Sequence, residues 1–179
     1  MKVTLIHPCI GRHLGQKEYI RTWQMEPLGA ATLASLTPSD HTVKFYDDRL
    51  ESIPFSEKTD LVAISIETYT AKRAYQIASE YRRRNVPVVM GGFHASLCPE
   101  EVSQYAESVV VGEAEASWQQ VLIDAEKKTL KTYYYSKDRP SLDNVMPDRS
   151  IFEGKNYVPI ALVEASRGCE FKCEFCAIQ

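Results

Sequence analysis

The sequence predicts an α/β protein built on a doubly wound, mostly parallel, five-stranded sheet. Short apolar runs of strand length recur along residues 1–130, and stretches with helical spacing of apolar residues lie between them. Strands that alternate with helices in this way form βαβ units with right-handed connections. A chain of 179 residues can bury the core of one such domain and carry a smaller appendage.

The five strands are expected from their apolar, often β-branched composition at residues 3–6, 42–46, 61–66, 86–90 and 109–111. Helices are expected at residues 27–36, 69–84 and 114–128, and a short helix is expected to open at Pro99. Proline suits the first turn of a helix, and the basic triplet 82–84 suits a last turn. Residues 131–136 could pair as an extra strand.

Residues 131–158 are interpreted as a linker, because prolines, glycine and polar residues interrupt regular patterns there. Residues 161–165 form a new apolar run, interpreted as a short strand. The formal charge of −3 offers no basic surface for nucleic acid. No stretch approaches the ~20 apolar residues of a membrane span, and the first apolar run is too short for a signal peptide, so a cytoplasmic protein is expected.

The chain ends in a cysteine motif in which Cys169, Cys173 and Cys176 have the spacing Cys-x3-Cys-x2-Cys. This spacing indicates a metal centre rather than a disulfide framework. Structural zinc sites close with four protein ligands, and electron-transfer iron-sulfur clusters normally take four cysteines. Three thiolates without a nearby fourth ligand would leave one iron open to a substrate or cofactor. Cys9 and Cys98 are expected to be ordinary buried or loop thiols.

Ligands of open parallel sheets bind beyond the carboxyl ends of the strands. This rule selects four loops, at residues 9–26, 67–70, 91–96 and 112–113, and the third of them begins with the pair Gly91-Gly92. Glycine lets the backbone approach a bulky ligand or adopt a positive φ. A standard dinucleotide is disfavoured, because no Gly-x-Gly-x-x-Gly follows the first strand and no Gly-Lys-Ser/Thr occurs.

The cysteine motif, with Phe175 before its last cysteine, resembles the cluster-binding loop of radical S-adenosylmethionine (radical SAM) enzymes. Nearly the whole chain is similar to the cobalamin-binding radical SAM family through the ordered motifs Pro27-Leu28-Gly29, Leu33-Ala34, Gly91-Gly92-x-His94, Pro99-Glu100, Val111-Gly112-Glu113-x-Glu115 and Ser166-Arg167-Gly168-Cys169. The resemblance implies a flavodoxin-like cobalamin-binding domain at 1–130, the linker at 131–158, and the start of a truncated radical SAM barrel at 159–179 with 161–165 as its first strand.

The resemblance also implies the site residues. Cobalamin would lie in the sheet crevice, and the candidate cofactor-binding residues are Thr68, Tyr69, Gly91, Gly92, His94, Gly112 and Glu113. A 4Fe-4S cluster would be held by Cys169, Cys173 and Cys176. His94 is interpreted as a hydrogen-bonding group beside the cofactor tail or as a structural turn histidine, and Glu115 as a helix N-terminal acid. His13 or Tyr19 could face the corrin. The signature Asp-x-His-x-x-Gly, which supplies a cobalt ligand in other cobalamin proteins, is absent.

The implied chemistry begins with an electron from a reductant such as flavodoxin or ferredoxin. The cluster cleaves S-adenosylmethionine, the 5'-deoxyadenosyl radical removes a hydrogen atom from an unreactive carbon, and cobalamin supplies a methyl group or assists a rearrangement. Because most of the barrel is missing, the chain is interpreted as a fragment that does not complete a turnover alone. The alternative is a non-catalytic flavodoxin-like module that binds cobalamin or signals, and whose cysteines hold zinc or nothing.

Overall fold

The computed structural model describes residues 1–11, 24–136, 140–141, 145–171, 173–176 and 178. Six strands form one sheet: β1 (Lys2–His7), β2 (Thr42–Asp47), β3 (Leu61–Ser65), β4 (Val88–Gly91), β5 (Ser108–Val111) and β6 (Tyr133–Tyr135). Their order is β2-β1-β3-β4-β5-β6, and all neighbouring pairs are parallel. The first five follow the flavodoxin-like order, so the predicted fold class is confirmed. The possible extra strand is present as β6, which makes the sheet one strand wider than the five predicted.

The helices of the described residues are α1 (Leu28–Leu36), α2 (Ala71–Arg82), α3 (Phe93–Leu97), α4 (Pro99–Val102) and α5 (Trp118–Glu126). Three 3-10 turns lie at Thr68–Thr70, Ala114–Ala116 and Arg149–Phe152. Two predicted helices therefore begin later than expected, because a 3-10 turn precedes each. The predicted loop after β4 contains α3 instead, a helix too short to give a periodic signal. None of the helices that the structure describes is long and apolar enough to cross a membrane.

Alternate residues of each strand face opposite layers of helices, as the pleat of a sheet requires. Val89 of β4 belongs to the core layer that includes Trp118 of α5, whereas Met90 belongs to the layer that includes Ile77 of α2. Both layers are apolar and buried. The sheet is thus covered on its two faces, and its carboxyl edge is the part of an open α/β sheet at which ligands generally bind.

Residues 145–157, within the segment interpreted as a linker, pack against the domain. The buried ring of Phe152 meets Phe45 of β2 and Tyr157 edge-on, at centroid distances of 5.5 and 5.4 Å. The backbone N–H of Asp148 donates to the carbonyl of Ala31 in α1 at 2.9 Å.

The prediction of a strand at residues 161–165 is wrong. These residues adopt no regular secondary structure, and residues 162–165 instead line a cavity together with Arg167. An isolated strand leaves its backbone N–H and C=O groups without partners, and no described strand of the sheet pairs with this segment. An apolar run therefore was not enough to predict a strand here.

Candidate functional site

A cavity of about 660 Å3 lies beyond the carboxyl ends of β3, β4 and β5, on the sheet face covered by α1 and α5. One wall is formed by sheet residues, Ala63, Ser65, Val89, Gly91 and Val110, and the other by helix residues, Leu28, Gly29, Thr32, Leu33 and Trp118. Its volume falls within the ~300–1,000 Å3 range of small-molecule sites. Because most of the lining side chains are apolar, the cavity suits a flat organic group better than a phosphate.

Gly91 keeps this cavity open. It ends β4 on the same face as Val89, two residues earlier, and it lines the cavity. A Cβ atom built on Gly91 would lie 3.5 Å from Cβ of Val110, which is an ordinary contact. The backbone would thus tolerate a side chain at this position, and that side chain would occupy space that is now free for a ligand.

Gly92 and Gly112 also line the cavity, but the fold itself requires them to be glycines. Gly92 has φ +98°, and a Cβ there would lie 2.9 Å from the backbone N and O of Ile66. Gly112 has φ +84°, and its Cβ would lie 3.2 Å from Cβ of Ser136. These glycines allow close approach of the chain to itself, in a backbone conformation that side chains disfavour.

Charged side chains meet at the mouth of the cavity. The guanidinium of Arg167 donates to Oε1 of Glu164 at 2.7 Å, to Oε2 of Glu113 at 3.2 Å, and to Glu115. The pKa of Arg167 is raised, chiefly by its hydrogen bond to Glu164. Burial acts in the opposite direction, and the contacts with Glu115 raise the pKa further. Glu115 is therefore more than the helix N-terminal acid predicted from sequence. The hydrogen bonds of Arg167 to Glu113 and Glu115 therefore connect the segment 162–167 to the edge of the domain.

Thr68, Tyr69 and His94 do not line this cavity. His94 is only 6% exposed, and its Nδ1 and Nε2 atoms lie 3.3 Å from Oγ1 of Thr68 and 3.2 Å from the hydroxyl of Tyr75. The ring of Tyr69 is 66% exposed. The structure therefore brings four of the seven predicted cofactor-binding residues to the cavity: Gly91, Gly92, Gly112 and Glu113. His13 and Tyr19 lie outside the described residues.

The three cysteines of the terminal motif are free thiols, and Cys169 and Cys173 are exposed. The backbone N–H of Cys176 donates to the carbonyl of Cys173 at 3.0 Å, which turns the chain between these two positions. Accessible thiols on a tight turn suit a cluster that binds from outside, so the residues fit the predicted 4Fe-4S centre. The ligation itself stays a prediction.

A second, smaller cavity of about 270 Å3 lies between β1 and β3, where the strand order reverses. Its lining includes His7, Ser65 and Glu67. Burial, followed by the charge of Arg49, lowers the pKa of His7 to about 4, so the imidazole is neutral at pH 7. Burial raises the pKa of Glu67, although the interaction with His94 acts in the opposite direction and lowers it. This switch point is the usual crevice of an open α/β sheet.

Sequence analysis missed two buried ion pairs next to this crevice. The carboxylate of Asp47 accepts hydrogen bonds from Arg49 and, at 2.7 Å, from the hydroxyl of Tyr157. The carboxylate of Asp48 accepts from Nε and Nη2 of Arg73 at 2.8 and 2.9 Å. Both aspartates are fully buried. The sequence signal for these ion pairs was the two adjacent aspartates at a strand end. Sequence spacing does not show which arginines pair with them.

Comparison with known proteins agrees with this geometry. The family model of the B12 binding domain matches residues 23–122, a segment that includes all the sheet and helix residues lining the large cavity. Bacteriochlorophyllide d C-8(2)-methyltransferase of Chlorobaculum tepidum is 36% identical over 160 residues, which cover 83% of this chain and 35% of that protein. The C-12(1)-methyltransferase of the same organism is 32% identical over 158 residues, covering 84% and 34%. The chain thus spans about a third of these relatives.

A solved structure shares the fold. It is OxsB, a cobalamin-dependent S-adenosylmethionine radical enzyme with aqua-cobalamin bound, and it superimposes with a TM-score of 0.55 at 20% identity over 73% of this chain and 19% of that one. The family match covers more than half of the 179 residues and coincides with the doubly wound domain. The chain belongs to the B12 binding domain family.

Proposed function

We propose that this chain holds cobalamin with the nucleotide tail of the cofactor in the cavity of about 660 Å3, as the cofactor-binding part of a radical SAM enzyme that transfers a methyl group. The observation that carries the proposal is the position of this apolar cavity at the carboxyl edge of the central strands, inside the segment matched by the family. Burying an aromatic tail there gains about 25 cal/mol for each Å2 of apolar surface removed from water.

The residues of the chain bind, orient and enclose the cofactor. The apolar side chains of Val89, Val110 and Trp118 offer a wall for a flat ring, and residues 162–167 also line the cavity. Cobalamin, when bound, supplies the methyl-transfer chemistry, and the protein supplies its position and excludes water. The sequence lacks the Asp-x-His-x-x-Gly signature, so these residues would offer cobalt no histidine of that motif.

We further propose that Cys169, Cys173 and Cys176 hold a 4Fe-4S cluster with one iron left open for S-adenosylmethionine. A flavodoxin or ferredoxin would reduce this cluster. The support is the spacing of these cysteines, their free thiols, and the exposure of Cys169 and Cys173. The names of the two bacteriochlorophyllide methyltransferases favour methyl transfer over rearrangement. Turnover is proposed for the longer enzyme, and cofactor binding for these residues.

The first expected result is that the purified protein retains hydroxocobalamin. We expect one corrin per chain after gel filtration, because the cavity is preformed. Cobinamide, which has the corrin ring but lacks the nucleotide tail, should bind at least about 10-fold more weakly, since each 1.4 kcal/mol of lost contact is tenfold in affinity. Titration followed by corrin absorbance measures both constants. Equal affinity for the two corrinoids would place the tail outside the cavity, and failure to bind either would contradict the proposal.

The second expected result concerns the cluster ligands. After anaerobic reconstitution with iron and sulfide, Cys173→Ala should lose the cluster chromophore while binding cobalamin as the unchanged protein does. Two remaining thiolates cannot hold three irons of the cube. Cys9→Ser is the matched control, because this buried thiol lies outside the terminal motif, and it should keep its iron. Iron analysis and the visible spectrum decide the outcome: an intact cluster in Cys173→Ala removes the ligand assignment.

A further inference from the structure

A second group of potential metal ligands lies away from the cavity, where α3 meets α4. The structure brings one ligand atom each of His94, Cys98 and Glu101 within 4.8 Å of one another, and it gathers no other set of three His, Cys, Asp or Glu in this way among the described residues. The backbone holds the three positions in place, because the N–H of Cys98 donates to the carbonyl of His94 at 2.9 Å and the N–H of Val102 donates to that of Cys98 at 3.1 Å.

The imidazole of His94 is oriented as a metal-binding histidine would be. Its Nδ1 lies 3.3 Å from Oγ1 of Thr68, and its Nε2 faces Oε1 of Glu101 at 3.6 Å. When the Nδ1–H donates to Thr68, the lone pair on Nε2 points to the space shared with Glu101 and Cys98. A hydrogen bond on the far ring nitrogen is the usual outer support of a metal-bound histidine.

Tyr75 closes the fourth side of this space. Its hydroxyl lies 3.2 Å from Nε2 of His94 and donates to Oε1 of Glu101 at 2.8 Å. The hydroxyl therefore contacts both ligand atoms, which lie 3.6 Å apart, a separation close to that in a tetrahedral site. Two ligands about 2.0–2.2 Å from one tetrahedral ion are about 3.4 Å apart.

We propose that His94, Cys98 and Glu101 bind one divalent transition-metal ion of the zinc type. Imidazole nitrogen, thiolate sulfur and carboxylate oxygen are the ligands that zinc accepts, and the thiolate disfavours calcium and magnesium. The thiolate and the carboxylate balance the two charges of the ion. Within the described residues, Glu101 forms no ion pair with a lysine or arginine, so neither of these cations competes for its carboxylate. Tyr75 or water completes the coordination.

The experiment uses cobalt(II), which replaces zinc and reports its ligands by colour. The protein carries Cys169→Ser, Cys173→Ser and Cys176→Ser together, so that the terminal thiols cannot bind the ion, and it is freed of metal and of corrinoid. Titration under anaerobic conditions should reach one cobalt per chain, with a sulfur-to-cobalt charge-transfer band and the intense visible bands of tetrahedral cobalt. Absence of stoichiometric binding overturns the proposal.

Three variants of this protein identify the ligands. Cys98→Ser should lose the charge-transfer band, and Glu101→Gln, an exposed position, should weaken cobalt binding at least about 10-fold without unfolding the chain. Thr68→Val, which removes the outer support of His94, should weaken it about 10-fold. Cys9→Ser, at a buried cysteine away from the site, is the matched control and should leave the spectrum unchanged. A charge-transfer band that persists in Cys98→Ser overturns the assignment.

Discussion

Replacing Gly91 by leucine is expected to weaken cobalamin binding about 100-fold while the domain stays folded. The new side chain would project from the end of β4 into the cavity, because a Cβ at this position faces the cavity beside Val110. A tail that loses about 100 Å2 of apolar contact loses about 2.5 kcal/mol, which is close to a 100-fold change in the dissociation constant. Titration with hydroxocobalamin, read by corrin absorbance, measures the change.

The control is Gly91→Ala, whose methyl group would meet Cβ of Val110 at an ordinary 3.5 Å and leave most of the cavity free. Its affinity should stay within about threefold of the unchanged protein. Ala63→Leu, on the neighbouring strand β3, fills the same cavity from another direction and should repeat the loss. Thermal unfolding followed by circular dichroism shows that each variant is folded. Unchanged cobalamin affinity in both leucine variants would mean that the tail lies elsewhere.

Gly92 does not offer the same test, although sequence analysis treated Gly91-Gly92 as one motif. A side chain at Gly92 would collide with the backbone of Ile66 at 2.9 Å, so its replacement would report on folding rather than on the cavity. The distinction between the two glycines depends on which neighbour each one faces. Spacing along the chain carries no such information.

Local pattern was enough to predict the central sheet, because β1, β3 and β4 are buried on both faces and read as continuous apolar runs. Local pattern was not enough to predict which segments form strands outside this central part of the sheet. The strand β6 has three tyrosines and little length, so it was left as an option. The run 161–165 has the composition of a strand but lacks a neighbour to pair with. Strand formation at an edge depends on what lies beside the segment.

The site shows the same limit. The carboxyl-edge rule selected Gly91, Gly112 and Glu113, and these residues line the cavity because the ends of parallel strands meet at one edge. It also selected His94, which lies at that edge but away from the cavity, since a loop position does not determine the face to which a side chain turns. The contact of Arg167 with Glu113 joins positions 54 residues apart. Charge pairing over such a distance is not encoded in any local pattern.

The buried ion pair of Asp48 and Arg73 should dominate the stability of the crevice. Arg73→Met is expected to lower the free energy of unfolding by about 3–5 kcal/mol, because it removes the guanidinium that pairs with a fully buried carboxylate. Arg82→Met, on the same helix α2, is the matched control: its ion pair with Glu107 is partly exposed and should be worth less than about 1 kcal/mol. Urea unfolding at neutral pH measures both changes.

The pH dependence separates a lost charge pair from a lost packing contact. Burial alone would raise the pKa of Asp48, but hydrogen bonds from Arg73 and from Cys9 outweigh it and lower the pKa. The pair therefore contributes stability above the unfolded pKa of about 4, and this contribution falls as the pH drops through the lower folded value. In Arg73→Met the hydrogen bonds and the charge of Arg73 no longer oppose burial, so the pKa of Asp48 rises and its protonation costs the folded state less. The penalty of Arg73→Met should be largest near neutral pH and shrink towards pH ~4, and Asp48→Asn added to Arg73→Met should recover most of it at neutral pH. A penalty that is the same at both pH values would assign the loss to packing around the arginine stem.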